Sequence, residues 1–225
     1  MTLSLDFARA KVARAWRLGL WWLALLPGVL QAHPHAWIDF SVRLIVDDQG
    51  RLEALHQAWR MDPFYSLILL EELSQAEGGL EAGLDQLGAE ILANLEPQGY
   101  FTEARLGDQL LNLGEVSEYT VMERGGRVEF VFLLPLDTPQ PLRQRTLEYR
   151  IFDPSYYLEM VHEAEGDTPR DDALRVNGEL ACTTRIEPAD PDPERVMAAS
   201  MLDVNDEAEP GLGRHFAETG VVTCD

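Results

Sequence analysis

An α+β fold is predicted by three features of the 225-residue sequence: a mostly antiparallel β-sheet or sandwich with an inserted helical pair and one disulfide. Apolar residues alternate with polar ones at Ile38, Phe40, Val42, Leu44 and Val46, the period of a half-buried strand, and strand-like runs recur as far as Ile186. Between residues 63 and 97 the period lengthens to that of amphipathic helices. The two cysteines, Cys182 and Cys224, form an even pair that reads as one bridge in an exported chain. Strands interrupted once by helices, rather than alternating with them, give α+β.

Residues 1 to 32 read as a secretory signal peptide. Arg9, Lys11, Arg14 and Arg17 precede the apolar run Leu18 to Leu30, and the small residue Ala32 follows. That run is too short to span a bilayer comfortably. Cleavage after Ala32 is expected, although Leu30 is larger than the usual residue three places before a cut; the alternative is an uncleaved anchor. The remaining 193 residues suffice for a real core. They divide into an α+β body at 33–190, with the helical insertion at about 62–98, and a C-terminal helix and disulfide-tied tail at 191–225.

Residues 36 to 60 predict a β-hairpin turning at Asp47-Asp48-Gln49-Gly50, with Leu55 and Trp59 on the return strand. Pairing Val46 with Arg51, Val42 with Leu55 and Ile38 with Trp59 makes the apolar faces coincide. His33, His35, Asp39 and Ser41 then share the opposite face with His56, Arg60 and Asp62. His35 would lie across from Asp62, and His56 roughly 20 Å away across from Ser41.

Asp62-Pro63 is an N-cap followed by a first-turn proline, and it opens a helix through Phe64, Leu67 and Ile68. Gly78-Gly79 breaks it, and Leu80, Leu84, Leu87, Ile91 and Leu95 mark a second helix, stopped by Pro97 and Gly99. Strands are predicted at 100–105, 109–113, 119–123, 128–135, 146–152, 158–163 and 180–186. Asn177-Gly178 is a hairpin-turn signal before the last of them. The acidic, proline-rich segment 187–194 reads as a surface loop, and a short helix near 193–202 leads into an irregular tail. Closing a loop of about 43 residues, the bridge would contribute roughly 4 kcal/mol.

The chain holds 18 Lys+Arg against 39 Asp+Glu. Removing residues 1–32 takes away 4 bases and 1 acid, leaving 14 against 38 and a net charge of −24, with Lys11 the only lysine and lost with the signal. Such an excess repels nucleic acid and anionic lipid and favours cations, although a merely salt-tolerant surface has the same composition. No stable membrane anchor is expected after cleavage.

A mature start at His33-Pro34-His35 offers a free amine and two imidazoles to a divalent transition ion, zinc, nickel or cobalt, with copper as a further candidate. Pro34 excludes the square-planar amino-terminal mode, because it has no backbone N–H to give up. A brace formed by the amine and ring of His33 with His35 or His162 stays open, as does completion of the site by Asp62, Asp39 or Asp153. The competing reading leaves His33 frayed and His35 capping the strand. His162 reads as a surface strand residue, and His215 as lying outside any site. In Asp153-Pro154-Ser155-Tyr156-Tyr157 the tyrosines Tyr156 and Tyr157 are candidate interaction residues, against the alternative of a corner that locks two strands.

Five landmarks carry a resemblance: His33-Pro34-His35; Trp59 with Asp62-Pro63-Phe64-Tyr65-Ser66; Gly99-Tyr100-Phe101-Thr102; Asp153-Pro154-Ser155-Tyr156-Tyr157; and the Cys182/Cys224 pair. On these the chain resembles bacterial exported proteins catalogued as the periplasmic component of an uncharacterised ABC-type transport system, a family of unknown function. The resemblance implies a periplasmic protein, often encoded near nickel, cobalt or zinc transport components. Some members carry an Asp-rich, calcium-hand-like loop between the helices. Residues 76–81 here lack its alternating carboxylates.

The expectation is a periplasmic accessory protein of a transition-metal transport system, binding or presenting its ion through His33 and His35 and partnered by an inner-membrane metal transporter. One alternative is a metal-free adaptor docking on such a transporter; another is a copper protein with a histidine brace. No hydrolase triad, phosphate loop or paired His/Glu motif is present in the sequence, so no enzymatic activity is expected.

Overall fold

The alternation that predicts the first strand is realised in β1 (Ala36–Val46), whose Ile38, Phe40, Val42, Leu44 and Val46 are all buried. The computed structural model describes residues 36–202, 206 and 208–225. Strand β2 (Arg51–Met61) returns antiparallel to β1, and the turn is fixed by Asp47, which accepts the backbone N–H groups of Gln49 and Arg51. Its register differs from the expected one by two residues. Phe40 faces Trp59, Leu44 faces Leu55 and Arg43 faces His56. An irregularity between Ile45 and Val46 takes up the difference, and because the shift is even the same faces stay buried.

The period change at Pro63 is also real. Helices α1 (Pro63–Ser74) and α2 (Gly79–Leu95) form the insertion. They approach closely at Gly83, where a Cβ would lie 3.0 Å from the Leu73 carbonyl oxygen. The remaining strands are β3 (Thr102–Leu106), β4 (Gln109–Leu110), β5 (Glu118–Arg124), β6 (Arg127–Pro141), β7 (Thr146–Ile151) and β8 (Leu158–His162). They are followed by β9 (Ala164–Glu165), β10 (Thr168–Pro169), β11 (Leu174–Asn177), β12 (Cys182–Glu187), helix α3 (Pro193–Ser200) and β13 (Thr219–Cys224).

One sheet runs β11-β1-β2-β6-β5, with β8 also on β1; the second runs β12-β13-β7-β3-β4. Among the described residues the paired strands run antiparallel except β8 and β11, which add in parallel to successive halves of β1. The two sheets and α2 share one core, with Phe40, Leu55, Phe130 and Phe132 from the first sheet and Leu147, Tyr149 and Ile151 from the second.

Two expectations are corrected here. The tail is not irregular at its end: β13 is an interior strand, paired to β12 on one side and β7 on the other. Asn177-Gly178 does not close a hairpin, because β11 joins the first sheet and β12 the second. The Cys182–Cys224 disulfide is present and bridges directly opposed residues of β12 and β13.

Candidate functional site

The entry to β1 lies beside α1, and between them is an apolar groove of about 600 Å³. Ile38, Trp59 and Phe130 contribute from the first sheet, Phe64 and Ile68 from α1, and Leu95 from α2. The placement of α1 follows from its start. Asp62 accepts the N–H of Tyr65 at 2.8 Å, and Pro63 takes the first turn. Within the helix, buried Ser66 accepts the Val128 N–H at 3.1 Å and donates to the Met61 carbonyl, pinning α1 to β6. Leu69, Leu70 and Leu73 pack on the core. Phe64 and Leu67 nevertheless stand 72% and 65% exposed, with Ile68, Tyr65 and Trp37 exposed beside them. A helix apolar on both sides has one face without a partner in the monomer.

Gly99-Tyr100-Phe101 supplies another wall. All three residues have positive φ, 60°, 55° and 55°, a conformation that costs Tyr and Phe of order 1 kcal/mol each. The gain is placement. Tyr100 enters the core and its hydroxyl accepts the Val116 N–H, while Phe101 lies parallel to Trp59 at the groove. Below it, Trp59 Nε1 donates to Gln57 Oε1, and Gln57 Nε2 donates to Thr102 Oγ1, so the indole is fixed by a buried hydrogen-bond chain.

The Asp153-Pro154-Ser155-Tyr156-Tyr157 turn divides its two tyrosines. Asp153 accepts the N–H groups of Ser155 and Leu158 and the Ser155 hydroxyl. Tyr156, at φ 58°, is buried and stacks on Phe216 with centroids 4.1 Å apart. Burial, reinforced by Glu159, pushes its phenol up to about 12. Tyr157 is exposed and lines the groove. Of the two candidate interaction residues, Tyr156 is therefore taken up by packing and Tyr157 is left accessible.

The expected metal ligands separate similarly. His33 and His35 lie outside the described residues, directly before Ala36 and Trp37, which line the groove. The three carboxylates are engaged by the fold. Asp39 pairs with Arg127 at 2.6 Å, Asp62 caps α1 and Asp153 holds its turn. Among the described residues, no three His, Cys, Asp or Glu side chains form a group that could hold a metal.

His162 is not a surface residue. Its ring is buried, with Nδ1 2.8 Å from Glu218 Oε2 and Nε2 2.7 Å from Tyr149 Oη. Glu218 Oε2 also accepts the His162 backbone N–H at 2.7 Å. Burial first, and then Glu218, raise the Tyr149 phenol well above its ordinary value, so its O–H remains to donate to Nε2. This network was missed because its partners lie 13 and 56 residues from His162 and no local pattern announces them. His215 is exposed at the end of a 3₁₀ turn, Leu212–His215.

The family described as "Protein of unknown function (DUF1007)" matches residues 18–224. The chain belongs to the DUF1007 family. That span takes in His33, His35, the groove, the double-tyrosine turn and both cysteines of this DUF1007 member. An uncharacterised protein of Haemophilus influenzae is 27% identical over 203 residues, covering 88% of this chain and 93% of its own. Among solved structures, AChBP from Bulinus truncatus aligns with 93% of this chain and 98% of its own at 8% identity, with a TM-score of 0.31. No helix among the described residues is long and apolar enough to cross a membrane.

Proposed function

We propose that this DUF1007 protein is an exported, periplasmic accessory protein that docks through its apolar groove on a membrane-embedded transporter. The observation that carries this reading is the exposed apolar face of α1, Phe64, Leu67 and Ile68, beside a groove lined by Trp59 and Phe101. The occupant is an apolar protein segment rather than the bilayer. A mature chain with 14 bases against 38 acids is repelled by anionic lipid headgroups, and α1 itself carries Glu71 and Glu72 but no lysine or arginine. The resemblance to periplasmic components of transport systems agrees with that partner.

A second reading adds cargo. His33 and His35 precede groove-lining Ala36 and Trp37 in the sequence, and in this reading they take a divalent transition ion. With Asp39, Asp62 and Asp153 engaged elsewhere, the amine and the two imidazoles are the donors this reading uses. No catalytic step belongs to either reading.

Two measurements test them separately. Phe64→Asp with Leu67→Asp is expected to abolish co-purification with the transporter in the presence of a chelator; retention at the wild-type level contradicts docking. Zinc, nickel and cobalt titrations of the cleaved protein are expected to lose one site in the His33→Ala, His35→Ala double variant. Unchanged stoichiometry and affinity contradict the metal reading.

A further inference from the structure

The opposite face of the first sheet carries a different cavity, a polar basin of about 570 Å³. Five arginines line it, Arg43, Arg60, Arg124, Arg170 and Arg175. They face three carboxylates, Glu129, Glu163 and Asp172, which leaves an excess of two positive charges. In a chain whose exported part has only 14 arginines and a net charge of −24, this is a local inversion of sign. The fold builds it: odd residues of β1 and even residues of β2 point away from the core, and β11 brings Arg175 directly opposite Arg43.

Three of the guanidinium groups are engaged within the basin. Arg60 lies 3.0 Å from Glu163, Arg124 lies 3.2 Å from Glu129 and Arg170 lies 2.9 Å from Asp172. Arg43 and Arg175 have no carboxylate within 4.0 Å among the described residues. His56 adds no charge, because burial and then the adjacent Arg43 lower its proton affinity.

A second observation points to a ligand. Glu129 is buried, its side chain 4% exposed, and its Oε2 has no hydrogen-bond partner. Its cross-strand neighbour Arg60 likewise leaves Nε buried and unpartnered. An orphaned acceptor and an orphaned donor on paired residues are each costly, about 1–3 kcal/mol and more for charged groups. A ligand that accepts from Arg60 Nε and donates to Glu129 Oε2 fills both once the side chains covering these atoms move aside.

We infer that this basin binds a small organic acid carrying a hydrogen-bond donor beside its carboxylate, a 2-hydroxy or 2-amino acid. The carboxylate meets Arg43, Arg175 and Nε of Arg60, where bidentate guanidinium contacts favour a planar anion. The hydroxyl or ammonium group donates to Glu129 Oε2. A plain anion leaves that oxygen unpaired, so the donor confers specificity.

Calorimetric titration of the full-length exported protein with malate, aspartate, succinate and inorganic phosphate tests the inference. Malate or aspartate is expected to bind at one site, with succinate and phosphate at least about tenfold weaker. The exposed pair Arg43→Ala and Arg175→Ala is expected to weaken that binding at least about tenfold, while Arg195→Ala on α3 leaves it unchanged. Equal affinity for all four ligands would mean non-specific attraction and overturn the inference. Undetectable binding of malate and aspartate, or wild-type affinity in the Arg43/Arg175 variant, would also overturn it. The groove variants Phe64→Asp and Leu67→Asp should titrate as wild type, which separates this site from the docking reading.

Discussion

Tyr149 Oη and His162 Nε2 lie 2.7 Å apart and join the two sheets, since Tyr149 belongs to β7 and His162 to β8. Both residues are buried, and Glu218 completes the chain on the far side of the imidazole. Replacing Tyr149 with Phe leaves the ring packing in place but strands Nε2. The expected loss is about 1–3 kcal/mol, read as a fall in thermal midpoint of a few degrees.

The same phenol predicts an alkaline limit. Its folded proton affinity is raised by burial and by Glu218, whereas in the unfolded chain it ionises near pH ~10. The folded state therefore holds the proton more tightly, and its contribution is complete below pH ~10 and lost as the pH climbs beyond. Denaturant titrations from pH 8 to 11 should show a steeper decline in the wild type than in Tyr149→Phe.

Gly220 is the close neighbour of that tyrosine. A Cβ at Gly220 would lie 2.2 Å from the Tyr149 ring, whose position His162 already fixes. Gly220→Ala is expected to cost about 3 kcal/mol through displacement of the ring, measured as a reduced denaturant midpoint at unchanged slope.

Glu159 is half-buried near Glu218. Burial, followed by repulsion from Glu218, raises its carboxyl above the usual range. The charged form is thus disfavoured in the folded protein. Glu159→Gln should raise the thermal midpoint at pH 7, and the gain should vanish as the pH falls below ~4, where the wild-type carboxyl is neutral in both states. A gain that persists at low pH would assign the effect to packing.

The disulfide ties β12 to β13 across a sequence separation of 42. Cys182→Ser with Cys224→Ser should cost up to about 4 kcal/mol. Because β13 is interior, the loss should reach β7, visible as faster amide exchange at Leu147 and Glu148 as well as in β12.

What the sequence made legible was local. The alternation through Val46, the Asp62-Pro63 cap and the change of period at α1 each rest on neighbours within a few residues. The bulge that shifts Arg43 onto His56 has no such signature, because turn composition constrains the hairpin without fixing its register. Residues Thr219–Cys224 make a short strand whose identity depends on β7 and β12, so they read as tail. The groove has no local signature. Asp62 reads as a cap and candidate ligand, Phe64 as a helix residue and Tyr157 as a candidate interaction residue, and the positive φ of Tyr100 and Phe101 at its wall depends on tertiary packing. Asp39 was a plausible ligand in sequence only because Arg127, 88 positions on by number, gave no sign of reaching it.

The docking claim is tested most directly by site-specific photo-crosslinking in intact cells, with a benzophenone amino acid at Leu67 and, as a control, at exposed Arg185 on β12. The account predicts one dominant adduct from Leu67, identified by mass spectrometry as an integral membrane transport protein, and none from Arg185. Equal labelling from both positions, or an adduct confined to soluble proteins, would contradict it.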